Sequence, residues 1–183
     1  MTGQTITACF LLGLASFAAG RDAAEKALPR IASPEALAIE MAKALVSGDR
    51  ERFTALAATR EEMEQMLETA WRPARPEDRQ YVKDKVAEIL ADRREDFDRF
   101  QTMKKAAAFK QGVAVRFELI DLDRIYEKDG MKKVRHSRVR MFQAAADGKE
   151  ESFLIRLDDM FLFPRGWAFT SVMPGIGKET ATK

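Results

Sequence analysis

The sequence predicts an α+β fold: N-terminal helices, three short and one long, packed on one face of a four-stranded antiparallel meander. Two observations carry this. Up to Gly112 the apolar residues recur at helical spacing, and beyond it they alternate with polar ones, a change from a period of about 3.6 to about 2. Beyond Gly112, Lys128-Asp129-Gly130, Ala146-Asp147-Gly148 and Pro164-Arg165-Gly166 each set two turn formers before a glycine, the mark of linked hairpins. A length of 183 residues fits one domain.

The chain reads in order as a signal peptide over 1–20, a polar linker over 21–33, one α+β domain over 34–174 and a disordered tail over 175–183. The first twenty residues, MTGQTITACFLLGLASFAAG, contain no charged side chain. The apolar run from Ile6 to Phe17 ends in small residues that suit cleavage after Ala18 or Gly20. The expected location is therefore periplasmic or secreted. A membrane role arises only if the leader is kept as an anchor, since the run is shorter than a full span.

Ser33-Pro34-Glu35 predicts a helix start, with Ser as cap and Pro in the first turn. Ala36, Ile39, Met41, Ala42 and Leu45 give that helix its apolar face, and Ser47-Gly48 ends it. Asp49 caps a short helix carrying Phe53 and Leu56. Thr59 and Glu62 have capping-box spacing and open a third helix, with Met63, Met66, Leu67 and Trp71. Pro73 and Pro76 interrupt the chain. A long helix follows from about 77 to 107, striped by Val82, Val86, Ile89, Leu90, Phe97, Phe100 and Met103. Its evenly matched acidic and basic residues read as a solvated face.

Four strands are expected near 113–127, 131–145, 149–163 and 167–174. If each turn is a type I turn closed by a glycine bulge, Glu127 faces Met131, Ala145 faces Lys149 and Phe163 faces Trp167. That register aligns Phe117, Met141 and Phe153 in one row, and Leu119, Val139 and Ile155 in the next. It sets Phe161 beside Phe169 and directs the odd-numbered residues to the helices. The even face carries Ile120, Leu122, Val134, Phe142, Leu154, Met160 and Leu162, with Glu118 beside Arg140. An apolar face of this kind suits a partner, and homodimerisation through it is expected, with Ile120, Phe142, Leu154 and Met160 central. The alternative is that the linker or the tail covers it.

The formal charge is +2, from 31 Lys and Arg against 29 Asp and Glu, which gives no reason to expect a nucleic-acid partner. With one Cys and one His, the chain cannot form an internal disulfide or a multi-Cys zinc site. No cofactor motif is present. The register gathers Asp123, Arg135 and Asp159 in one helix-facing row, with Asp121 and Ser137 alongside. Polar residues at core positions are candidates for ligand binding or acid–base chemistry. The central Arg135 argues against a metal. A weaker candidate is His136 beside Asp158, where a carboxylate could orient an imidazole base; no nucleophile accompanies them.

Helices followed by a long meander resemble the cystatin-like folds and, more loosely, the nuclear transport factor 2-like (SnoaL-like) superfamily. The segment from Ala42 to Phe53, AKALVSGDRERF, looks like openings of uncharacterised secreted bacterial proteins. The resemblance implies a curved sheet around a pocket and roles from binding to catalysis. The expected function is an exported small binding module without catalytic activity. The alternatives are a small enzyme using Asp123, Arg135 and Asp159, and an envelope component held by an uncleaved leader.

Overall fold

The computed structural model describes residues 31–71, 75–107, 109, 115–128, 130–144, 150–172 and 174–179. Four helices precede an antiparallel sheet: α1 (Pro34–Ser47), α2 (Arg50–Ala55), α3 (Arg60–Trp71), α4 (Pro76–Ala106), β1 (Val115–Leu122), β2 (Tyr126–Lys128), β3 (Met131–Ala144), β4 (Glu150–Phe163), β5 (Gly166–Phe169) and β6 (Gly175–Lys178). This is the expected α+β order. The leader, and residues 21–30 of the linker, lie outside the described residues.

The helix caps follow local sequence. Ser33 Oγ accepts the Ala36 amide at 3.2 Å, and Asp49 accepts that of Arg52 at 2.9 Å. Thr59 and Glu62 bond reciprocally, at 2.8 and 3.2 Å, which satisfies two otherwise orphaned amides. Gly48 ends α1 in the left-handed region, φ 77°.

Helix α1 and the C-terminal half of α4 cover one face of the sheet. Leu37, Met41, Leu45, Phe53 and Phe100 meet Val139, Met141, Phe153, Ile155 and Phe169 in the main core. A smaller core joins Met63, Met66 and Val86 to Phe163 and Ala168. Phe117 pairs with Met141 and Met141 with Phe153. Leu119 likewise pairs with Val139, and Val139 with Ile155. These expected rows exist, and they face the helices.

The first and last turns correct the expectation, and the middle one, Ala145 to Lys149, lies outside the described residues. In the first hairpin Lys128 pairs with Met131, leaving a two-residue loop. The extra residue is taken up at Ile120, where the β1–β3 register shifts. A bulge inside the strand and a bulged turn produce the same far-end rows, so the rows alone could not distinguish them. Past the bulge Asp121 faces Arg138, and Leu122 faces Ser137. In the last hairpin Phe163 faces Gly166, not Trp167, and Phe161 faces Ala168, not Phe169. There Arg165 bonds Glu62 Oε1 and the Ala57 carbonyl, both at 2.6 Å, tying the turn to the start of α3. Gly166 sits at φ 126°, and a Cβ there would approach the Ile31 carbonyl to 2.6 Å. A side chain is excluded because the Trp167 amide bonds that same carbonyl at 2.9 Å.

The faces of β4 reverse at Asp159, which adopts φ 48°. Arg135 and Asp159 drop out of the ladder, while pairing continues on both sides from Val134–Met160 to His136–Asp158. Leu157 and Met160 are both fully buried as a result. Val134 and Met160, expected on the even face, point into the core. The region expected as a disordered tail contributes β6, which extends the sheet along the same edge of β4 as β5. The expected fourth strand, 167–174, is therefore cut short at Phe169.

The interruption between β5 and β6 is where α4 docks. Arg93 is 6% exposed. It donates to the Thr170 carbonyl at 2.9 and 3.2 Å and to the Ala58 carbonyl at 3.1 Å, and its guanidinium lies over the Phe169 ring. Burial lowers its pKa to about 10, so it stays cationic at neutral pH. Asp96, 4% exposed, accepts the Val172 amide at 3.3 Å. Lys104, 5% exposed, and Gln101 each donate at 2.8 Å, to the Val46 and Leu45 carbonyls at the end of α1. A cation at a helix C-terminus also complements the helix dipole. The expectation of a wholly solvated polar face on α4 is corrected here. These polar groups are buried because they bond backbone carbonyls and amides that regular structure leaves free.

Candidate functional site: the outer face of the sheet

The structure does not bring Asp123, Arg135 and Asp159 together as a helix-facing row. Asp159 pairs with Lys133 at 2.5 Å. Arg135 is exposed and its guanidinium lies over the Tyr126 ring, 5.9 Å from the centroid. The Asp123 backbone amide bonds the His136 carbonyl. Asp121 is exposed and pairs with Arg138 at 2.6 Å. Ser137 is buried alone, its hydroxyl 3.5 Å from the Leu157 carbonyl. The bulge at Ile120 and the reversal at Asp159 disperse the row. No cluster suited to a metal exists among the described residues, and none of their helices is long and apolar enough to cross a membrane.

His136 and Asp158 do meet, Nδ1 to Oδ1 at 2.7 Å. This contact raises the imidazole pKa, chiefly through the hydrogen bond to Asp158. The imidazole side chain is 65% exposed, so the pair stabilises the fold only slightly. A raised folded pKa means the contribution is fully present below the unfolded value and fades as pH rises through the folded one. Proton NMR of the ring is expected to give a midpoint above the ordinary histidine value, and Asp158→Asn should bring it back. An unchanged midpoint in that variant would show that Asp158 does not set it.

The outer face is less apolar than expected, since Val134 and Met160 lie in the core. Arg116 lies 3.8 Å over the centre of the Phe142 ring, with Arg140 at 6.0 Å. Of the expected partner surface, Ile120, Phe142 and Leu154 are half-buried and Met160 is buried on the other side. Arg140 faces Glu118 across the strands, but its guanidinium makes a two-bond contact with Glu179, at 2.6 and 3.0 Å. That geometry is the stronger one. It raises the Arg140 pKa and lowers that of Glu179.

A half-open groove of about 320 Å³ runs between Leu154 and Arg156 of β4 and the Gly175-Ile176-Gly177 segment of β6, with Lys178 and Glu179 closing one end of its lining. Leu154 faces Gly177, and Arg156 faces Gly175. The two glycines leave the outer face of β6 without side chains, and this opens the groove. Nothing lies within 4 Å of a Cβ built at Gly177, so the fold does not require glycine there. Arg116, Arg138 and Arg140 each reach a carboxylate. Arg156 is exposed and reaches none among the described residues. It also lies opposite Arg138, whose own charge is met by Asp121.

Sequence reasoning assigned β6 to the tail and so missed the groove, although alternation in Gly175-Ile176-Gly177 was a faint strand signal. Comparisons with protein-family models, with curated proteins and with solved structures find no match.

Proposed function

We propose that the chain is an exported binding module without catalytic activity, which takes a small carboxylate with a short apolar tail in the groove beside Arg156. The observation that carries this reading is the Arg156 guanidinium, without a carboxylate partner among the described residues, at the rim of a groove that two strand glycines hold open. The carboxylate would meet Arg156, and the hydrocarbon would lie over Leu154 and the bare β6 backbone. Arginine suits planar anions through its fork of donors. Export rests on the leader and is checked by N-terminal sequencing of exported material; an intact Met1 would count against cleavage.

The groove is tested by NMR titration with hexanoate, acetate and hexanol. Hexanoate is expected to shift the amides of Leu154, Arg156, Gly175 and Gly177, with weaker effects from either fragment. Arg156→Gln should weaken hexanoate binding by about tenfold or more, the range for a charge-assisted hydrogen bond. Gly177→Val should fill the groove and abolish binding while leaving the thermal midpoint equal or higher, because a β-branched residue suits a strand better than glycine. Equal binding by wild type and both variants would refute the site.

A further inference from the structure

We propose that a second copy of this chain pairs with the open edge of β1, antiparallel and centred on Phe117, joining two sheets into one. This inference is independent of the groove.

The far side of the sheet is closed. Ile31 and Ala58 bond β5 at the Trp167 amide and the Phe169 carbonyl, and α4 packs beside β6. On the other side β1 pairs with β3 alone. Among the described residues no backbone group bonds its outer edge. An edge left with unpaired amides and carbonyls is a template for another strand. The side chains agree: Val115, Phe117 and Leu119 face the core side yet are only half-buried, whereas Val139 and Met141 on the next strand are fully buried. A strand added beyond β1 would supply the missing neighbours.

The bulge at Ile120 confines regular pairing to Val115–Leu119. A twofold axis normal to the sheet keeps both helical layers on one side and allows centring on Arg116, Phe117 or Glu118. Centring on Arg116 opposes two arginines, and centring on Glu118 opposes two glutamates. Centring on Phe117 sets Arg116 against the second copy's Glu118 twice. On the other face it sets Phe117 against Phe117 and Val115 against Leu119. This register alone matches charge on one face and apolar side chains on the other.

The test uses the full chain with Cys9→Ser, so that any leader effect is common to every variant. Phe117→Cys is expected to form a disulfide-linked dimer on mild oxidation, since residue 117 meets itself at the axis. Val115→Cys alone should not, while Val115→Cys with Leu119→Cys should. Because Phe117→Cys could weaken the fold, a second set leaves Phe117 intact. Arg116→Glu and Glu118→Arg should each lower the association constant at least about tenfold in light scattering, with two pairs lost per dimer, and the double swap should restore it. A monomer at high micromolar concentration, failure of the double swap, or Val115→Cys linking as readily as Phe117→Cys would overturn the proposal.

Discussion

Arg93→Ala is expected to destabilise the fold by about 3–5 kcal/mol, as large an effect as single substitutions usually produce. The guanidinium serves the Thr170 and Ala58 carbonyls together and packs on Phe169. Its removal leaves both carbonyls in a buried site without donors, at about 1–3 kcal/mol each. It also leaves a cavity beside Phe169. Arg93 has no carboxylate partner among the described residues, so truncation strands no opposite charge; the cost lies in the carbonyls and the void. Arg93→Met keeps much of the volume and should recover part of the loss, since only the hydrogen bonds are then missing. Urea unfolding of the three proteins measures this. A loss below about 1 kcal/mol for Arg93→Ala would show that water replaces the guanidinium and that α4 is not pinned to the β5–β6 break in this way.

Phe153→Ala should cost a similar amount, about 3–5 kcal/mol by transfer and cavity terms. Phe153 is 1% exposed. It pairs with Met141 across the sheet and meets the Phe109 ring edge-on at 6.2 Å. It also faces Lys178 on β6, so it sits where the strand that expectation missed joins the core. A domain of this size should lose roughly 10–15 °C in its thermal midpoint. Phe153→Leu should retain most of the stability, because hydrophobic substitution that nearly conserves volume is tolerated. Near-wild-type stability in Phe153→Ala would place this ring outside the core and would remove the row it anchors.

The two substitutions differ in how legible their roles were. Phe153 lies in phase with Phe117 and Met141, and period-2 alternation assigned it to the helix-facing side. Arg93 was read as solvated because of its charge. Its position carried the opposite message: Val82, Val86, Arg93, Phe97, Phe100 and Lys104 form one stripe at spacings of three, four or seven along α4. The two cations stand where the apolar pattern demands core residues, and a phase argument that ignored residue type would have found them. The partners could not be read in the same way, because the Thr170 and Val46 carbonyls lie far from Arg93 and Lys104 in the chain.

The candidate site divides similarly. His136 and Asp158 met as expected, because the β3–β4 pairing continues through the reversal. The row of Asp123, Arg135 and Asp159 did not form, because the bulge at Ile120 moves Asp123 alongside His136 and the left-handed Asp159 takes Arg135 and Asp159 out of the β3–β4 ladder. Lys133, set on the first strand's partner, took Asp159 instead.

The order and type of the elements, the helix caps and the far-end rows of the sheet were determined by the sequence itself. Such features depend on residues a few positions apart and on a repeating alternation, both of which a linear reading contains. The bulge at Ile120, the left-handed Asp159, the burial of Arg93 and Lys104, and the strand carrying the groove glycines were decided by the tertiary structure. Each turns on which distant backbone group finds a donor or acceptor once the layers meet. That competition is settled by free energies summed over contacts that do not exist until the chain has closed on itself.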